Sequence, residues 1–142
     1  MKKSILLFAV AFTTITANAQ KMKEADVPAA VKGAFTKAYP NTKAGSWVKE
    51  NGNFEAEFDF NKAEMSVLID PSGNITETES EIKMSELPKA VTDYCAKNFA
   101  GKKITEVSKI VDAKGVVTFE AEINKMDEIF SADGTFIKEI KP

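Results

Sequence analysis

One helix-like stretch is written twice in this chain. VPAAVKGAFTKAYP, from Val27 to Pro40, returns sixty positions later as LPKAVTDYCAKNFA, from Leu87 to Ala100. The offset sets Pro28 on Pro88, Ala30 on Ala90, Val31 on Val91, Lys37 on Lys97 and Tyr39 on Phe99. The halves realign at FEAEF (Phe54–Phe58) and FEAEI (Phe119–Ile123), at Met65 with Met126, and at Gly73 with Gly134. Unequal gaps between these anchors are what loops of different length produce. The period exceeds that of common solenoid repeats, so two copies point to a pseudo-symmetric domain and not to an array.

Within each copy the first element reads as a helix. Val27, Ala30, Val31, Ala34, Phe35, Ala38 and Tyr39 recur at the i, i+3, i+4, i+7 spacing that lines one stripe. Leu87, Ala90, Val91, Tyr94, Cys95, Asn98 and Phe99 repeat it. Pro28 and Pro88 suit the first helical turn, and Pro40 and Gly101 end the two helices. Strict alternation follows. Phe54, Ala56, Phe58 and Phe60 face one way while Glu55, Glu57 and Asp59 face the other; Phe119, Ala121 and Ile123 oppose Glu120 and Glu122. Such alternation marks antiparallel strands buried on one face. Asn51-Gly52, Lys114-Gly115, Asp70-Pro71-Ser72-Gly73 and Asp133-Gly134 punctuate them as turns. The expected fold is α+β: a tandem duplication, each copy a helix followed by about four antiparallel strands, with helices on one face of a large antiparallel sheet. The copies span residues 20–82 and 83–142 and share one domain.

Ahead of the duplication the chain opens MKKSILLFAVAFTTITANAQ. A basic start, an apolar run from Ile5 to Ile15 and Ala17-Asn18-Ala19 follow the plan of a secretory signal peptide over residues 1–19. The run is too short to span a bilayer, which takes roughly 20 apolar residues. The expectation is an exported, periplasmic chain starting at Gln20, with no membrane contact in its mature form. All 19 basic residues are lysines, and without Lys2 and Lys3 the remaining 17 face 21 acids, a formal charge of −4. That balance lacks the basic footprint of a nucleic-acid binder. With no histidine, Ser/His/Asp and Cys/His nucleophilic sets are excluded, as is the commonest metal ligand. A single cysteine, Cys95, rules out an intrachain disulfide.

Two copies of [V/L]-P-x-A-V leading to Y-P or F-A, then an F-E-A-E strand, then a D-x-x-G or D-G turn, behind a leader, resemble the PepSY-like family of exported bacterial proteins, whose fold is similar to that of the β-lactamase inhibitor protein. The resemblance covers nearly the whole mature chain and implies a helix-backed antiparallel sheet whose open face could bind a protein. It supplies no catalytic residues, no cofactor and no metal ligands. Likeness to the inhibitor is architectural and does not imply inhibition of β-lactamase.

The candidate site is the acidic face: Glu55, Glu57, Asp59, Glu120 and Glu122 lie opposite the apolar positions of matched strands. Polar alternation is the default of any half-buried strand, so a plain solvated face competes with two functional readings. One is a docking surface for a protein partner with a basic surface, used by a non-catalytic binding or inhibitor-like module. The other is a small-ligand or cation site on the same acids. DPSGN and SADGT lack the EF-hand spacing and read as turns. Cys95 falls on the inward stripe and reads as a buried thiol, and Trp47, aligned with Val107, reads as core. Asn74 begins an N-glycosylation pattern, with no modification expected in a bacterial periplasm.

Overall fold

The computed structural model describes residues 19–141, so the expected leader lies outside the described residues except for Ala19. A short strand β1 (Gln20–Met22) and a 3-10 turn (Glu24–Asp26) lead into α1 (Ala29–Ala38). Four strands follow: β2 (Ser46–Glu50), β3 (Asn53–Phe60), β4 (Ala63–Ile69) and β5 (Ile75–Glu81). The second copy repeats this order with a 3-10 turn (Met84–Glu86), α2 (Lys89–Asn98), β6 (Ile104–Asp112), β7 (Val117–Ile123), β8 (Met126–Ser131) and β9 (Phe136–Ile140). The strands form one nine-stranded sheet in chain order, with short turns within β2–β5 and β6–β9 and a helix in each of the connections from β1 to β2 and from β5 to β6. The chain divides into two compact units between Thr78 and Glu79.

Each helix is shorter than its apolar stripe. Pro28 and Pro88 have extended backbones and stand just outside the first turn, at φ −56, ψ 144 and φ −55, ψ 137. Val27 and Leu87 therefore enter the core from an extended segment and not from the helix. At the far end Asn41 and Gly101, sixty positions apart, both take positive φ (65 and 77) and turn the chain away.

In the first unit Val31 and Phe35 of α1 pack on Trp47, Phe54, Ala56, Phe58, Val67 and Ile69. The Phe35 ring meets Trp47 at 5.6 Å and Phe58 at 5.0 Å, both edge-to-face. In the second unit Val91 and Cys95 of α2 pack on Val107, Ala121, Ile123 and Phe130. Here the aromatic has moved one residue along the helix. Ala34-Phe35 becomes Tyr94-Cys95, and Tyr94 stacks on Phe136 at 4.9 Å and meets Phe130 edge-on at 5.4 Å. The bulk lost at Cys95 is restored by Phe130 and Phe136 where the first copy has Ile69 and Ile75. Each large apolar side chain so buried stabilises by roughly 1.5–3 kcal/mol.

Turn chemistry sets the register. Asn51-Gly52 takes positive φ at both positions (48 and 85), the geometry that suits a two-residue hairpin. Asn61-Lys62 and Asn124-Lys125 do the same with lysine in place of glycine, two turns that glycine-based punctuation misses. Gly73 and Gly134, both at φ 87, have a second duty. A Cβ on Gly73 would lie 2.9 Å from the Ala30 carbonyl oxygen, and one on Gly134 2.7 Å from the Ala90 Cβ. Each D-x-x-G or D-G turn thus sits against the first turn of its own helix, where only glycine fits.

Candidate functional site

The register of β2, β3 and β4 fixes which side chains share the face turned from α1. Trp47 pairs with Ala56 and Ala56 with Val67, all in the core beneath the helix. The alternate positions therefore carry Ser46, Val48 and Glu50 on β2, Asn53, Glu55, Glu57 and Asp59 on β3, and Glu64, Ser66 and Leu68 on β4. No lysine is among them. Lys49, the one lysine of these strands, is on the helix side with its Nζ 5.8 Å from the centre of the Phe54 ring.

The expectation that all the candidate acids lie on an open, solvated face fails at Glu55. It is 1% exposed, because its direct partners are Val48 on one side and Leu68 on the other, both buried. Burial pushes its carboxyl up to about 8; the Ser66 hydroxyl pulls down, and the charges of Glu57, Glu50 and Glu77 push up further. Glu50 is also buried, and desolvation raises it. Glu57 is half-buried and accepts a hydrogen bond from the Ser46 hydroxyl across the strand. Asp59 is exposed and Glu64 half-buried. The face is therefore graded. Its centre is closed and partly apolar, and its accessible acids gather toward the Asn61-Lys62 turn.

The second unit repeats the scheme with different detail. Glu120, half-buried, pairs with Ser108 and Ile129, the equivalents of Val48 and Leu68 in register. Glu122 accepts a hydrogen bond from the Thr105 hydroxyl, the counterpart of Ser46 to Glu57. Glu122 also lies between Glu106 and Asp127, so three carboxyls stand in one row across β6, β7 and β8. Asp127 is pushed up to about 6, by burial first and then by the Glu122 charge. On the helix side Glu128, opposite Ala121, is buried as well. The structure thus brings Glu55 and Glu57 together with Glu50, and Glu122 together with Glu106 and Asp127. Among the described residues no group of three or more ligating side chains is placed to hold a metal ion.

The burial of Glu55 had a signal in the sequence. Val67-Leu68-Ile69 is a continuous apolar run, as is Ile129-Phe130. Runs of that kind belong to strands buried on both faces. The remaining candidates sit as their positions suggest. Cys95 is buried, its thiol pushed up by burial and then by the Glu128 charge. Trp47 is core, at 5% exposure. Asp70 accepts from the Asn74 amide side chain at 2.8 Å and from the backbone N–H groups of Ser72 and Asn74, which hold it below the usual carboxylate range. That is a complete account of the turn without a ligand.

The model of a PepSY-like family, described as beta-lactamase-inhibitor-like, matches residues 11–77 and again residues 59–138. Solved structures share the fold. A candidate periplasmic protein of Bacteroides eggerthii is 18% identical, covering 80% of this chain and 87% of its own, with a TM-score of 0.70. A DUF2874 family protein of Bacteroides uniformis is 22% identical over 79% and 87%, with a TM-score of 0.70. A BLIP-like protein of Bacteroides fragilis is 24% identical over 79% and 84%, with a TM-score of 0.63. No curated protein matches the chain.

Proposed function

The chain belongs to the PepSY-like, beta-lactamase-inhibitor-like family, and from that premise we propose that it is a non-catalytic, exported binding module of the periplasm. It docks a protein with a basic, lysine-rich surface on the acidic end of the sheet face turned from α1. The leader pattern of residues 1–19 and the candidate periplasmic relative of Bacteroides eggerthii support the location. One observation carries the docking reading: Glu50, Glu55, Glu57, Asp59 and Glu64 share one face of β2–β4 and no lysine of these strands is on it. Lys21 of β1, opposite Val48, shares this face, so the field is acidic in balance and strongest at the end away from β1, where it steers a cationic partner and speeds encounter. The reading is narrower than the sequence suggests. Asp59 and Glu57, near the Asn61-Lys62 turn, make contact, while buried Glu55 does not.

The test uses the chain from Gln20 and a decalysine peptide as probe, followed by calorimetry at low and high salt. Asp59→Asn with Glu57→Gln is compared with Glu24→Gln with Asp26→Asn, which removes the same charge from the exposed turn before α1. Binding that falls about ten-fold in the first pair only, and weakens with salt, supports the reading. Equal loss in both pairs, or no binding by the parent protein, overturns it. A melt of each variant confirms that the fold survives.

A further inference from the structure

On the helix side of the second unit two carboxyls stand directly opposite each other. Glu128 on β8 pairs in register with Glu139 on β9. Glu128 is 1% exposed, whereas Glu139 is on the accessible side of the pair. Both Glu128 oxygens are closed off from solvent, and Glu139 acts on the carboxyl through a side-chain hydrogen bond to its protonated form as well as through charge. Among the described residues no cation is one of the groups that act on Glu128. The titratable groups that act on Glu128 are Glu139 and Asp127, and Cys95 faces it from α2. Its partner on β7 is Ala121.

This pair lies at one edge of the sheet. β9 is the last strand and is held by β8 alone. At its beginning Phe136 is anchored, stacked on Tyr94 at 4.9 Å and against Phe130 at 5.8 Å. A register shift separates this anchor from the rest of the strand, between Ile129 and Phe130 of β8. Beyond the shift the acid pair is the helix-side contact of the strand. Like charges directly opposite each other destabilise a strand pair, and a desolvated one does so more strongly than an exposed one.

We propose that Glu128 and Glu139 form a pH-sensitive latch that holds the Lys138–Ile140 part of β9 on the sheet while Glu128 is protonated and loosens it when Glu128 ionises. Burial first, and Glu139 beside it next, push Glu128 up to about 7 from an ordinary 4.5. Because the folded value is the higher one, the stability this group contributes is complete below about 4.5 and is lost as pH rises through about 7. The latch therefore closes in mild acid and opens in mild alkali. Phe136 stays seated throughout, so only the far part of the strand frees.

Amide hydrogen exchange tests this on the chain from Gln20 at about pH 5.5 and about pH 8, corrected for the intrinsic rate, with β7 amides as internal reference. In the parent protein, protection at Lys138–Ile140 should fall by about ten-fold or more relative to β7. Glu128→Gln should abolish most of that fall. Glu139→Gln, an exposed and milder change, leaves the burial of Glu128 in place, so it should measurably reduce that fall without abolishing it, and it keeps the test valid if Glu128→Gln does not fold. A parent response that β7 shares equally, or one that either folded variant leaves unchanged, overturns the proposal.

Discussion

Replacing Glu55 by glutamine should make this protein more stable in alkali and leave it nearly unchanged in acid. The carboxyl lies between Val48 and Leu68 at 1% exposure and is pushed up to about 8, burial being the main cause. The unfolded chain ionises it near 4.5. Below that value both states are protonated and the group is neutral to stability. Between 4.5 and about 8 the unfolded chain gives up the proton and the folded chain keeps it, so each pH unit removes about 1.4 kcal/mol. Above about 8 the loss stops growing. The whole interval corresponds to about 5 kcal/mol, an upper bound set by how completely water is excluded. That is a large share of the roughly 5–15 kcal/mol by which domains are stable. Glutamine keeps the shape and removes the ionisation. Urea denaturation of parent and Glu55→Gln at about pH 5, 7 and 9 should give stability differences that widen by about 3–5 kcal/mol across the series. Taking differences removes the contributions of Asp127 and Glu128, which respond to pH in the same sense and are not among the charges that push on Glu55. Parallel stability curves would refute the argument, since they would mean that water reaches Glu55 and the closed centre of this face does not exist.

Gly134→Ala should destabilise by more than about 2 kcal/mol, since it adds a contact at 2.7 Å from the Ala90 Cβ to the strain of φ 87. Gly115→Ala, at φ 79 with open space around it, should lose only about 1 kcal/mol, and chemical denaturation of the two isolates the contact. A thiol reagent should modify Cys95 slowly in native protein and rapidly in denaturant, because burial and the Glu128 charge both disfavour the thiolate. Equal rates in the two conditions would contradict the packed α2 stripe.

The duplication was legible because it was written in residues that make structure. Burial of residues 21–50 and 81–110 runs in step at every position except Thr42 against Lys102. The sequence identity behind that match is modest. What the two copies keep is the spacing of apolar residues, the proline before each helix and the glycine under it. The exchange of Ala34-Phe35 for Tyr94-Cys95 shows why residue-by-residue comparison understates the likeness. An aromatic shifted by one place along a helix still reaches the same core when Phe130 and Phe136 stand where Ile69 and Ile75 stood. Helix ends were less legible. An apolar stripe records what is buried, and Val27 and Leu87 are buried from extended backbone just as the helical residues are.

The candidate site was legible in direction, and in depth only through the apolar run Val67-Leu68-Ile69 on the neighbouring strand. Alternation correctly separates Glu55, Glu57 and Asp59 from Phe54, Ala56 and Phe58, yet it treats the three acids alike. Depth is set by the neighbouring strands, through pairings that no local pattern contains. Val48 and Leu68 flank Glu55, Ser46 and Ser66 flank Glu57, and Asp59 meets Glu64 next to a turn. The result is a gradient along one strand, from a closed carboxyl with a raised value to an exposed one. Glu128 was hidden for the same reason. In MDEIF it reads as one of two adjacent acids, and only the pairing of β8 with β9 reveals Glu139 opposite it. Adjacent acids on a strand point to opposite faces. Asp127 therefore joins the row with Glu122 and Glu106 while Glu128 turns beneath α2 toward Cys95, and one dipeptide supplies buried carboxyls to both sides of the sheet. A sheet with acids closed into both faces is stabilised by protons as well as by apolar contact. Its stability and the fit of its last strand should therefore both rise in acid, a property that follows from pairing and not from composition.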